Sequence, residues 1–60
     1  MLTTKCVVDA LRANGAPRWV FNVAEEDFDT EADAMKWIEK YRPYLGADRI
    51  ETRAVERLVA

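Results

Sequence analysis

Hydrophobic and polar positions alternate along most of this chain, and the rhythm changes once. Between Glu31 and Arg42 the apolar residues Ala34, Ile38 and Tyr41, continued by Leu45, recur at helical spacing, with Trp37 flanking the stripe. Lys36, Glu39 and Lys40 fall on the opposite, solvated side. Thr30 stands where an N-cap belongs, and Asp33 three residues on takes the capping-box position. Pro43 has no amide hydrogen and crowds the preceding turn, so the regular helix is expected to end at Arg42.

Elsewhere the period is two. Arg18–Ala24 is rich in aromatic and β-branched residues and reads as a strand, with Trp19, Phe21 and Val23 on one face and Arg18, Val20, Asn22 and Ala24 on the other. The aromatic side is expected against the helix, which makes Trp19, Phe21, Trp37 and Tyr41 the expected aromatic core. Residues 5–13 read as a strand with Cys6, Val8 and Ala10 on one face, or as a short helix capped by Thr3 or Thr4. Asn14-Gly15 suits either, as a hairpin turn or a helix C-cap. Residues 49–59 are again open between strand and helix.

The strand readings are preferred, because three strands under one helix bury their apolar faces in two layers, whereas one strand among three helices does not. The expected fold is α+β: a two-layer β-β-α-β domain over residues 1–60, with a three-stranded antiparallel sheet and one helix on one face. The other sheet face is left open.

Sixty residues bury only about 60% of the surface their unfolded chain exposes, so such a domain is marginal alone. A homodimer would add burial. The single cysteine, Cys6, allows no intrachain disulfide, and it reads as a small buried hydrophobe. The chain has no histidine, the commonest zinc ligand and neutral-pH base. A cytoplasmic location is expected, since MLTTKCVV is a short apolar run for a signal peptide and nothing approaches a membrane span. No cofactor or metal is expected: Asp27, Asp29 and Glu31 alternate like a calcium loop, but Ala32 and Ile38 occupy the positions of its glycine and bidentate acid. No nucleophile–base set, phosphate loop or HExxH occurs, so an enzyme is not expected.

Charge changes the picture most. Residues 25–33 hold Glu25, Glu26, Asp27, Asp29, Glu31 and Asp33 and no base. The rest of the chain sets nine bases against five acids, a balance of +4 within a total of −2. Part of the acid cluster serves the positive end of the helix. The rest reads as a solvated loop, or as a surface that docks on a basic partner such as a channel that otherwise takes phosphates. Arg49, Arg53 and Arg57, at intervals of four, share one face of the last strand. With Arg18, and with Val20 and Val55 between them, they form a basic strip on the open face. That strip keeps an edge strand soluble, or contacts carboxylates or phosphates.

The stretches DTEADAMKWIEKYRPYL and IETRAVER, in β-β-α-β order, resemble the acidic helix and arginine strand of the small RNA polymerase inhibitor of podophages. The size and acidity are also similar to those of anti-CRISPR proteins. The resemblance implies a non-enzymatic inhibitor in the host cytoplasm that blocks a nucleic-acid-handling complex. Its contacts would be Arg53 and Arg57, with Glu25, Glu26, Asp27, Asp29, Glu31 and Asp33 as an acidic strip. Two alternatives stand beside it. One is a nucleic-acid-binding sheet, opposed by the acidic total. The other is a homodimeric module whose open face or last strand pairs with its own copy.

Overall fold

A computed structural model describes residues 1–12 and 15–59, and the architecture is the expected α+β one. Three strands, β1 (Leu2–Arg12), β2 (Arg18–Val20) and β3 (Arg49–Leu58), form an antiparallel sheet in the order β2-β1-β3, and one helix, α1 (Glu31–Leu45), crosses it. The segments open between strand and helix are both strands. The expected Asn14 turn lies outside the described residues; Gly15 beside it has a positive φ of 92°, which glycine adopts without steric cost.

The long ladder is β1 with β3, running from Leu2↔Leu58 to Leu11↔Arg49. It explains why β1 begins three residues before the expected Lys5: Leu2, Thr3 and Thr4 have backbone partners in the tail of β3. Cross-strand partners in an antiparallel pair share a face. One face therefore carries Cys6, Val8 and Ala10 of β1 with Ile50, Thr52 and Ala54 of β3, and α1 covers it. The opposite face carries Lys5, Val7, Asp9 and Leu11 with Arg49, Glu51, Arg53, Val55 and Arg57.

Val8, Phe28, Ala34 and Ile38 are the buried centre between sheet and helix, with Cys6, Val23, Ala24, Trp37 and Ile50 packed around them. Burying a side chain the size of Ile38 stabilises the fold by roughly 1.5–3 kcal/mol. Cys6 is half-buried in this wall. Phe28 arrives by a bridge to Cys6 in which each residue's amide donates to the other's carbonyl at 2.8 Å.

The second strand is where pattern and structure part. Residues 18–24 were expected to be continuous, but β2 stops at Val20. Asn22 and Glu25 take positive φ values of 50° and 57°, and the Glu25 amide donates to the Asn22 carbonyl at 2.9 Å, closing a turn. Two partners on β1 hold this detour. The Asn22 amide donates to the Asp9 carboxylate at 2.9 Å, and the Val23 amide to the Val8 carbonyl at 2.8 Å.

The expected faces fail with it. Trp19 stands opposite Leu11, on the side away from the helix, while Val20 and Arg18 lie on the helix side opposite Ala10 and Arg12. Phe21 is 66% exposed. Val20 and Arg18 are thus not part of the open-face strip. Of the aromatic core expected, Trp37 is half-buried against the cluster, Trp19 is half-buried on the far face, and Tyr41 is exposed but rests on Trp37 with ring centroids 5.0 Å apart. The buried aromatic residue is Phe28.

Thr30 caps α1 as its position predicts: its Oγ1 accepts the Asp33 amide at 3.1 Å. The helix does not end before Pro43. It runs through it to Leu45 and closes on Gly46 at φ 58°. Pro43 falls in the last turn, where its missing amide deprives only the carbonyl of Glu39, an exposed residue whose carbonyl water can satisfy. The Asp48 amide then donates to the Leu11 carbonyl at 2.8 Å, delivering the chain into β3.

Candidate interaction surface

Alternation decides where the acid cluster goes. Because Phe28 points into the core opposite Cys6, its neighbours Asp27 and Asp29 point to the open face. Lys5 stands on that face beside the Cys6 bridge and pairs with Asp29. Arg57 donates to Asp27 through Nε at 2.7 Å and Nη2 at 3.2 Å, a bidentate clasp. Arg53 donates to Asp9 through Nε at 2.8 Å, with Nη2 at 3.4 Å, and its guanidinium sits 5.5 Å from the Phe21 ring centroid. Arg49 donates to Glu51 at 2.6 Å.

The open face is therefore a mosaic. Lys5, Arg49, Arg53 and Arg57 each face one carboxylate, of Asp29, Glu51, Asp9 and Asp27. Val7 in the middle of that face is fully buried although no helix covers it.

Asp9 is the interior member, with 8% of its side chain exposed. Burial pushes its carboxyl up. The hydrogen bond from Arg53, the Asn22 amide and the Arg53 charge together outweigh that and hold it below the usual carboxylate value. At Asp27 the Arg57 hydrogen bond is the main cause of a lowered value, helped by the charges of Arg57 and Lys5 against some desolvation. Arg53 and Arg57 are correspondingly raised, each chiefly by its carboxylate's hydrogen bond.

The residues singled out by charge thus separate into three groups. Asp27, Asp29, Arg53 and Arg57 are brought together on the open face, in ion pairs. Glu31 and Asp33 open the helix, with Glu31 accepting a long 3.5 Å bond from Thr52. Glu25 and Glu26 sit exposed on the turn after Asn22, with no ion pair among the described residues. Asp9, Lys5 and Asn22 were not foreseen as partners. The available signal was a lone carboxylate between Val7 and Leu11 in an apolar strand, which a buried position obliges to find a cation.

A groove of about 310 Å³ opens between the start of the helix and the two long strands, lined by Thr4, Cys6, Thr30, Glu31, Thr52 and Ala54 among others. Among the described residues, no helix is long and apolar enough to cross a membrane. Comparison of the chain with protein-family models, with curated proteins and with solved structures yields no match.

Proposed function

We propose that this chain is a small non-enzymatic interaction protein that docks on a basic surface of a protein partner. An inhibitor of a nucleic-acid-handling complex, such as an RNA polymerase or a CRISPR effector, would use it in this way. The observation that carries the proposal is the Glu25–Glu26 turn. Glu25 holds a left-handed φ of 57°, which glycine or asparagine would adopt at lower cost. Both side chains are exposed and outside the ion pairs of the sheet. A carboxylate at a strained position with no ion-pair partner among the described residues favours a ligand outside the fold. Glu31 and Asp33 are exposed at the start of α1, where Glu31 accepts from Thr52 of β3. Asp27, Asp29, Arg53 and Arg57 act in this reading as the frame that fixes the turn, since each is already clasped.

The test is displacement of DNA from purified host RNA polymerase and from a purified CRISPR effector at moderate salt. The chain should displace DNA from one of them, and E25K/E26K should raise the concentration required at least tenfold. Displacement unaffected by the reversal, or none from either complex, overturns the proposal. Direct nucleic-acid binding through the open face has weaker support, because each of its four cations already faces a carboxylate.

A further inference from the structure

We infer that the outer edge of β3 is the interface of a two-fold dimer, in which Ala54 of one copy pairs with Ala54 of the other and two three-stranded sheets become one of six strands. β3 is ten residues long and lies at the edge of the sheet. Its backbone is poised for pairing. The amide and carbonyl of Cys6 are both spent on Phe28, so the Cys6↔Ala54 pair is the kind without mutual hydrogen bonds, and the Ala54 amide and carbonyl point outward. By alternation Ile50, Thr52, Glu56 and Leu58 present theirs on the same edge. Among the described residues no backbone group pairs with this edge, and a row this long is a template for another strand.

Charge selects a second copy as the occupant, and selects its register. A two-fold axis through Ala54 sets Glu51 opposite the partner's Arg57, and Arg53 opposite the partner's Val55. Thr52 then meets the partner's Glu56, and Ile50 the partner's Leu58. No like charges meet, and the whole strand is used. An axis through Arg53 would oppose Arg53 to itself and Arg49 to Arg57. An axis through Val55 would oppose Arg53 to Arg57. An axis through Thr52 would oppose Asp48 to Glu56 and leave the strand end unpaired. Directly opposed like charges destabilise a ladder. Arg57 uses Nε and Nη2 on Asp27, and its Nη1 is not part of that clasp.

Apolar surface points the same way. Leu58 is 79% exposed and Leu2 beside it 64%, on the helix-side face but at the far end of the ribbon from Ile50. In this register Leu58 of one copy lies against Ile50 of the other, which packs on that copy's core. The overhanging ends become extensions of the partner's apolar layer. The acidic turn lies on the β2 side of the sheet, so this interface and the proposed docking surface succeed or fail separately.

Sedimentation velocity on the full chain from roughly 10 to 500 μM, the range expected for a small interface, is the first measurement. A monomer–dimer equilibrium is expected, with E51R weakening it about tenfold, because the substitution sets Arg opposite Arg57 twice per dimer. Circular dichroism confirms that E51R folds. The second measurement is disulfide trapping of A54C. It is made in a C6A background, because Cys6 faces Ala54 within one chain. A hydrogen-bonded pair sets its Cα atoms about 5.5 Å apart, within disulfide span. Mild oxidation should yield a covalent dimer. Failure to trap that dimer, a monomer throughout the concentration range, or a dimer indifferent to E51R each overturns the inference.

Discussion

Asp9 shows what a single side chain decides in this protein. Its carboxylate closes the detour after β2 through the Asn22 amide and anchors Arg53 of β3, so it ties three segments together. Removing a buried acceptor leaves its donors unsatisfied, and the penalty exceeds the net worth of the bonds themselves. Asp9→Ala should lower stability by about 2–3 kcal/mol, read from urea unfolding. Arg53→Ala should lower it by a comparable amount, because it strands the buried Asp9 carboxylate with only the Asn22 amide as donor. A loss below about 0.5 kcal/mol in either variant would mean that this pair does not organise the fold. Phe28 is the corresponding apolar case: one residue among the acids, whose insertion opposite Cys6 sends Asp27 and Asp29 to the other side.

At the scale of elements, α1 is held by its ends as much as by its stripe. Thr30 satisfies an amide at one end, and Gly46 at φ 58° turns the chain at the other. A Cβ at Gly46 would meet nothing within 4 Å, so a substitution there tests the backbone alone. Gly46→Ala should destabilise by about 1 kcal/mol, and Gly46→Asn by less, since asparagine tolerates the left-handed region. Thermal unfolding of the pair distinguishes this from a packing effect, which would penalise the larger asparagine more. The shortness of β2 has the opposite character. Asn22 adopts the left-handed φ of the turn readily, but the hydrogen bonds that Asp9 and Val8 accept from the Asn22 and Val23 amides fix the end of β2, and these come from another strand.

The whole molecule is thin, with extents of 41 × 23 × 13 Å, so ion pairs on the open face lie close to the core. This makes stability depend on acid. Asp9 and Asp27 both have lowered carboxyl values in the folded state. Unfolded aspartates titrate near about 3.9, so the stability these groups contribute is fully present above that pH. It declines as pH falls through the lower folded values, when protons bind the unfolded chain first. Urea midpoints from neutral pH down to 2 should drop below about pH 4, and the drop should be shallower in Asp9→Asn. A profile in Asp9→Asn as steep as that of the parent would assign the acid response to other groups. Salt should weaken the exposed Arg49–Glu51 pair more than the Asp9–Arg53 pair.

Two-layer packing chose strands over helices for residues 5–13 and 49–59, and periodicity was sufficient for the cap at Thr30, the Ala34–Ile38 stripe and the sharing of one face by Arg49, Arg53 and Arg57. The last three depend on spacing within a segment, which local geometry converts directly into a face. The sequence also marked the acids and arginines as the chemistry of the surface, but not as one another's partners. That needed the register of β1 against β3, the Cys6–Phe28 bridge and the turn at Asn22. Trp19 and Phe21 lost their expected place against the helix for the same reason. A residue's face is local, whereas which strand lies beside it, and where that strand stops, is fixed by hydrogen bonds between residues far apart in the chain.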